Sequence, residues 1–178
     1  MDLCNPKEIK ALLGRHGFRF SKQMGQNFLI QPWVPRQTAE ASGAGPGIGV
    51  LEIGPGIGPL TAQLAQLGEK VVSVELDRTL LPILAETMAD YDNVEIVPGD
   101  ILKTDIPALC REKLAGLRAV ACANLPYNIT TPVITAPGGL FRVRDGDDSK
   151  RGGPAHLRPG GDGPIRGLYA PVPVLRRL

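Results

Sequence analysis

Several features are scarce in this chain of 178 residues, and each scarcity excludes a class of protein. Cysteine occurs only at Cys4, Cys110 and Cys122, an odd number without the paired spacing of a zinc site, so we predict reduced thiols and no metal. No apolar run approaches the roughly 20 residues of a membrane-spanning helix, which predicts that the protein does not enter a membrane. The amino terminus carries Asp2 and lacks the apolar core of a signal peptide, so we expect a cytoplasmic protein.

The charges that are present are distributed unevenly along the chain. Residues 1–36 contain six Lys or Arg against two acids, residues 37–136 six against twelve, and residues 137–178 eight against four. We therefore divide the chain into a basic amino-terminal arm, a central ligand-binding domain and a basic tail, with boundaries at these positions.

The basic arm is a candidate for binding a polyanion. Its cations Arg15, Arg19 and Lys22 are interleaved with Phe18 and Phe20, a combination that suits RNA. The structural alternative is an ordinary solvated helix face followed by a loop.

Short runs rich in β-branched residues recur about every 20 residues in the central domain. These runs predict four strands, at 50–53, 71–76, 94–97 and 118–124. Leucines with helical spacing lie between the first three runs, and Pro82 falls in the opening turn of the second helical segment, where proline is tolerated. Strands that alternate with helices predict βαβ units and a parallel sheet.

The phrase GPGIG occurs twice, at 45–49 and 54–58. Only the second copy comes directly off an apolar strand and runs into a helical stretch, which is the position of a ligand-binding loop at the carboxyl edge of a parallel sheet. We interpret the first copy as a connecting loop.

The glycine spacing of the second copy discriminates between cofactors. A dinucleotide loop has the pattern G-x-G-x-x-G, whereas here Gly54, Gly56 and Gly58 alternate, Pro59 follows, and Glu52 stands two residues before. This pattern resembles the first motif of the S-adenosylmethionine-dependent methyltransferases, in which glycines let the backbone pass close to the cofactor.

Acids at the ends of the next two strands extend the predicted site. Glu75 ends the second run, where a carboxylate can accept both ribose hydroxyls of a bound nucleoside. Asp77 competes for this role; we favour Glu75 because it stands at the strand edge, although an acid there can also be a solvated capping group. Asp100 follows the third run, where it can accept a hydrogen bond from an adenine amino group or cap a helix.

The fourth run ends in the phrase Asn124-Leu125-Pro126-Tyr127. The Asn124 side-chain oxygen and a main-chain carbonyl in the turn at Pro126 can accept the two N–H bonds of an adenine amino group, which turns the nitrogen lone pair toward a sulfonium methyl. Tyr127 offers a face on which the purine stacks. The chemistry needs positioning and no general base.

The motifs together resemble the ribosomal RNA adenine N6,N6-dimethyltransferases. The likeness runs from about residue 7 to residue 135 and rests on the glycine loop, the strand-end acids, the NLPY phrase and the stretch Lys22-x-x-Gly25-Gln26-Asn27-Phe28-Leu29. It implies a Rossmann-like α/β fold, S-adenosylmethionine as cofactor, and adenines of small-subunit ribosomal RNA or of a pre-ribosomal particle as substrate. It also implies a cofactor site lined by Asn27, Leu29, Gly54, Gly56, Glu75, Asp100 and Asn124.

The likeness stops where the composition changes. Residues 137–178 contain nine Gly and six Pro, no Glu, and no strand or helix periodicity, so we predict an irregular tail beside an incomplete parallel sheet. A shift of reading frame after residue 135 accounts for this composition most simply, and it predicts an unstable chain with little activity. A basic RNA-binding extension is the alternative.

The sequence therefore predicts dimethylation of adenines in small-subunit ribosomal RNA during ribosome biogenesis. A DNA adenine or macrolide-resistance type methyltransferase shares the glycine loop and the N-x-P-Y logic and is one alternative. A non-catalytic fragment that binds RNA or the cofactor is another.

Overall fold

The computed structural model describes residues 1–18 and 31–123, together with the backbone of three short strands between 142 and 169. In chain order the elements are α1 (Pro6–Arg15), α2 (Trp33–Ala41), β1 (Ile48–Ile53), α3 (Pro59–Leu67), β2 (Lys70–Glu75), a 3-10 helix (Arg78–Leu80), α4 (Leu81–Thr87), β3 (Val94–Pro98), α5 (Ile106–Lys113), β4 (Arg118–Ala123), β5 (Arg142–Val143), β6 (His156–Arg158) and β7 (Arg166–Tyr169).

The first four strands form the parallel sheet that the apolar runs predict. The strand order is β3-β2-β1-β4-β7-β6-β5, and β1 lies between β2 and β4 with Leu51 opposite Val72 on one side and Ala121 on the other. Every residue of β1 is buried, as expected for a central strand covered on both faces. The predicted α/β fold is confirmed, with β1 starting at Ile48 and β2 ending at Glu75.

The sheet continues beyond β4 with short strands of four, three and two residues. β7 pairs in parallel with β4, and β6 and β5 follow in antiparallel order. Without β7, the outer edge of β4 would present unpaired N–H and C=O groups. These three short strands are the described part of the tail, and the rest of 137–178, which the sequence predicts to be irregular, lies outside the described residues.

Alternating side chains of the central strands belong to separate hydrophobic clusters on the two faces of the sheet. Leu51, Val72 and Val74 pack on one face with α5, while Val50 and Val71 pack on the other with α3. This period of two places odd and even positions of each strand on opposite faces. None of the described helices is long and apolar enough to cross a bilayer.

The arm begins with a helix that is part of the folded core. Asn5 caps α1 by accepting a hydrogen bond from the Lys7 N–H, and Pro6 occupies its first turn. The buried face of α1 joins a cluster with α4 and with Ile57 of the second glycine loop; its members include Ile9, Leu12, Leu13, Ile83, Leu84 and Met88. The predicted boundary after residue 36 falls inside α2.

Candidate functional site

The second GPGIG copy links the carboxyl end of β1 to the start of α3. The Gly54 N–H donates to the Val74 carbonyl oxygen at 3.0 Å, and the Gly58 N–H donates to the Pro55 carbonyl oxygen at 3.0 Å. The φ angles of Gly54, Gly56 and Gly58 are 69°, 64° and 94°, all in the left-handed region. The loop therefore bends sharply at the sheet edge where parallel α/β folds bind ligands.

Gly58 has a packing role that the motif did not reveal. It precedes the first residue of α3 with a left-handed backbone, and a Cβ placed on it would lie 2.6 Å from Cε of Met88. Met88 belongs to the cluster shared by α1 and α4. The third glycine of the motif therefore lets α4 pack closely against the start of α3.

Glu75 reaches from the end of β2 toward this loop. Its Oε2 accepts a hydrogen bond from the Gly56 N–H at 3.2 Å, and its Oε1 accepts one from the Asp77 N–H at 2.8 Å. The side chain is buried, and burial raises the pKa of Glu75, while the two N–H donors act in the opposite direction. The structure thus places this carboxylate beside the glycine loop.

Asp77 has a different set of contacts. Its Oδ1 accepts hydrogen bonds from the Thr79 N–H at 2.9 Å and the Thr79 hydroxyl at 2.6 Å, which caps the 3-10 helix that follows β2. The sequence favours Glu75 over Asp77 as the ribose ligand; in the structure Glu75 is hydrogen-bonded to the glycine loop, whereas Asp77 is hydrogen-bonded to Thr79.

Glu52 lies on β1 below the loop and is the most deeply buried acid among the described residues, at 1% exposure. Its Oε2 accepts a hydrogen bond from the Ser73 hydroxyl at 2.6 Å, whereas its Oε1 and the nearby Thr61 Oγ1 are buried without a hydrogen-bond partner among the described residues. Burial raises the pKa of Glu52 to about 7; the hydrogen bond from Ser73 acts in the opposite direction, and the charge of Glu75 raises the pKa. The sequence motif includes Glu52, but no sequence pattern indicates whether its carboxyl group is protonated.

Asp100 follows β3 in a turn. Its Oδ1 accepts a hydrogen bond from the Leu102 N–H at 3.0 Å, and its Oδ2 lies 3.7 Å from the Lys103 ammonium. The helix that follows is capped by Asp105, whose Oδ1 accepts from the Ala108 N–H. Asp105 and not Asp100 therefore caps α5, and the adenine contact of Asp100 stays a prediction.

The predicted RNA contact Arg15 is engaged within the protein. Its guanidinium pairs with Glu86 of α4, and His16 Nε2 lies 2.6 Å from the other oxygen of the same carboxylate. These two contacts lower the pKa of Glu86, that of His16 most strongly. The remaining predicted site residues lie outside the described residues: Arg19, Lys22, Asn27, Leu29, Asn124, Pro126 and Tyr127.

Comparison with known proteins shows which family the sequence of this chain matches. Residues 17–137 match the family described as ribosomal RNA adenine dimethylase. The chain is 48% identical over 134 residues to "Ribosomal RNA small subunit methyltransferase A" of Geobacillus thermodenitrificans, which covers 75% of this chain and 46% of that protein. It is 44% identical over 132 residues to the protein of the same name from Alkaliphilus metalliredigens, covering 74% and 46%.

Among solved structures, the chain is similar to the crystal structure of the 23S rRNA methyltransferase ErmE. The two share 31% identity with a TM-score of 0.52, over 62% of this chain and 44% of that one. The chain spans about half the length of the curated relatives it matches.

Proposed function

The chain belongs to the ribosomal RNA adenine dimethylase family, and on that premise we propose that it binds S-adenosylmethionine and methylates the exocyclic amino group of adenines in small-subunit ribosomal RNA. The observation that carries the proposal is the junction of the glycine loop with Glu75, where one carboxylate oxygen accepts the Gly56 N–H.

The residues at this junction fit the proposed cofactor in shape and hydrogen bonding. An ionised carboxylate has about four acceptor sites, and Glu75 uses one on each oxygen for backbone N–H groups, so each oxygen retains capacity for a ribose hydroxyl. The glycine loop brings main chain beside that carboxylate. Gly54 and Gly56 would hold the amino-acid part of the cofactor, Glu75 the ribose, and Asp100 the adenine amino group.

The charge of the site also fits. When bound, S-adenosylmethionine supplies an electrophilic methyl group on a positively charged sulfur. Glu75, Asp77 and Asp100 cluster at the ends of β2 and β3, so this edge of the sheet is acidic and favours a cation over a dinucleotide with its anionic pyrophosphate.

The residues that we propose to bind the target adenine follow directly after the end of β4. Ala123, the last residue of β4, lies in register with Ile53, the residue before Gly54. The chain therefore leaves β4 and β1 at the same edge, and Asn124 is the next residue after this point. We propose that Asn124 and the turn at Pro126 accept the adenine N–H bonds, and that Tyr127 stacks on the purine.

The cofactor assignment is tested by comparing two carboxylates. We expect Glu75→Ala to weaken S-adenosylmethionine binding by about 1–3 kcal/mol, the scale of losing a charged hydrogen-bond partner, and Asp77→Ala to leave the affinity nearly unchanged. Isothermal titration calorimetry measures both. A larger loss for Asp77→Ala would move the ribose site to Asp77.

The substrate assignment is tested by methyl transfer. The assay uses a form of the chain extended to the length of its relatives, because the chain as it stands is expected to have little activity. Labelled S-adenosylmethionine is offered with immature small ribosomal subunits, naked ribosomal RNA or duplex DNA, and we expect methyl incorporation into the small subunits. In that form we expect Asn124→Ala to reduce the rate at least a hundredfold, because the amino group loses a positioned acceptor. Preferred labelling of DNA would support the DNA methyltransferase alternative, and binding without transfer to any substrate would support the non-catalytic one.

The arm contributes to RNA binding in this proposal. Neutralising Arg19 and Lys22 together is expected to weaken RNA binding and reduce the slope of affinity against salt concentration, because cations that contact phosphates release counterions. Neutralising Arg15 is expected to have a smaller effect on the slope because its charge pairs with Glu86. Filter binding at several salt concentrations measures both, and equal slopes would remove the arm from the RNA interface.

A further inference from the structure

The unexplained feature of this fold is a pair of buried oxygens below the glycine loop. Glu52 Oε1 and Thr61 Oγ1 are both shielded from solvent, and neither makes a hydrogen bond within residues 1–18 and 31–123. A buried polar atom without a partner is unfavourable, and a buried charge without a partner is much more so. Two such atoms side by side therefore call for an explanation. The Glu52 carboxyl group needs either a proton or a cationic partner.

The described surroundings of Glu52 contain hydroxyl groups and no cation. Glu52 lies opposite Ser73 on β2 and opposite Cys122 on β4, and Thr61 comes from the first turn of α3. The titratable described groups that interact with it are the Glu75 carboxyl and the Cys122 thiol; burial raises the pKa of Cys122, and a charge on Glu52 adds to that rise. No Lys, Arg or His is among the described groups that act on Glu52.

We propose that Glu52 is a positioning residue that works as a neutral carboxylic acid: it accepts the Ser73 hydrogen bond, donates its own proton to Thr61 Oγ1, and so ties β2, β1 and the start of α3 together below the glycine loop. A protonated carboxyl has one donor, which satisfies both orphan oxygens with a single proton. This inference goes beyond the proposed function and holds whichever ligand the loop binds.

The two carboxyl groups on the neighbouring strands β1 and β2 have different surroundings. The Glu52 side chain is fully buried, while Glu75 accepts hydrogen bonds from two backbone N–H groups that stabilise its ionised form. Since each negative charge disfavours the other, the single proton resides on Glu52. Glu75 then stays ionised as an acceptor at the loop, and Glu52 holds the loop from below without adding a second charge.

The proposal requires a specific dependence of stability on pH. The pKa of Glu52 is raised from 4.5 to about 7, so the folded protein holds this proton more tightly than the unfolded chain does. The added stability is complete below pH 4.5 and is lost as the pH rises through about 7. Over this window the unfolding equilibrium constant rises on the order of a hundredfold from this residue.

The test uses the full chain and the Glu52→Gln variant, whose amide mimics the neutral acid. We expect the Glu52 carboxyl carbon to titrate near pH 7 by NMR, and the loop amides of Gly54 and Gly56 to show a transition at the same pH that is missing in Glu52→Gln. Urea unfolding of the variant should show a smaller decline from pH 5 to pH 8. An ordinary acidic midpoint for Glu52, or loop amides that titrate alike in both proteins, would overturn the proposal.

A second variant keeps the proposal testable if Glu52→Gln does not fold. Thr61→Val keeps the shape of the side chain and removes the hydroxyl oxygen that accepts the Glu52 proton. We expect the Glu52 midpoint to move downward, because the neutral acid loses its acceptor, whereas an unchanged or higher midpoint would exclude Thr61 as that acceptor. Failure to bind S-adenosylmethionine would count against the proposed function alone, because neither the carboxyl titration nor the unfolding measurement contains a ligand.

Discussion

The two copies of GPGIG have identical sequences and different structures. In the copy at 45–49 only Gly47 is left-handed, and the phrase enters β1 at its amino end, where Ile48 and Gly49 are already strand residues. In the copy at 54–58 all three glycines are left-handed, and the phrase leaves β1 at its carboxyl end. A five-residue phrase therefore does not fix its own conformation; the strand edge to which it is attached does.

The two copies also differ in what would collide with a side chain. Gly49 faces Leu114, whose Cβ and Cδ2 would lie 3.1 Å and 2.9 Å from an added Cβ, whereas Gly58 faces the flexible end of Met88. Gly45 has nothing within 4 Å. Each glycine is thus constrained for a different reason, and alanine substitutions can separate these reasons.

The largest expected effect on stability is at Gly58. Gly58→Ala should destabilise the protein by about 2–3 kcal/mol, because alanine is strained in the left-handed region and Met88 must also move. Urea unfolding monitored by circular dichroism measures the change. A loss below about 0.5 kcal/mol would mean that the start of α3 adapts to a side chain, and the contrast between the copies would weaken.

The second largest loss of stability is expected at Gly49, where close packing rather than backbone strain is the cause. Gly49→Ala should destabilise by about 1–2 kcal/mol, since Gly49 lies in a central strand and the overlap with Leu114 involves its Cβ as well as its mobile end. A double-mutant cycle with Leu114→Ala should show a favourable coupling of about 1 kcal/mol, because the smaller residue makes room. Additive losses would mean that the constraint at Gly49 arises elsewhere.

A third comparison separates stability from ligand binding. Gly56 and Gly47 have similar φ angles, 64° and 72°, so alanine at either should destabilise the fold by a similar amount, about 1 kcal/mol. Only Gly56→Ala should also weaken S-adenosylmethionine binding, about tenfold, because the Gly56 N–H is hydrogen-bonded to Glu75. Calorimetry at matched folded fraction measures this difference. Equal affinities would remove the loop from the cofactor site.

The smallest effect is expected at Gly45. It has ordinary backbone geometry and open space around it, so Gly45→Ala should be neutral or stabilising by up to about 1 kcal/mol, through the lower entropy of the unfolded chain. Thermal unfolding measures this. A marked loss of stability would show that the first copy is more than a connecting loop.

Much of the fold was predictable because its signals are local. The four parallel strands follow from apolar runs, and α3 and α4 follow from leucine spacing, with Pro82 in the opening turn of α4 as predicted. By contrast, α5 buries only Ile106 and Cys110, too few residues to produce a helical pattern. The strands after residue 141 were not predicted either, because their pairing depends on the open edge of β4.

The candidate site shows the same limit at the level of single atoms. The glycine loop, Glu75 and Asp100 could be placed at strand ends from their spacing alone. The contacts of Asp77 could not be predicted, because they depend on the 3-10 helix that follows β2. The unpaired oxygen of Glu52 depends on side chains from three elements that are distant in the chain, which no local pattern encodes.

The packing of α1 affects where a protein fragment of this family should begin. The family match begins at residue 17, after α1 has ended, yet Leu12 is fully buried in one cluster with Ile57 of the glycine loop. A fragment that begins at residue 17 would lack the α1 side chains of the cluster that contains Ile57. We expect such a fragment to hold the glycine loop less firmly, so a loss of ligand binding in it would report on α1 as well as on the loop.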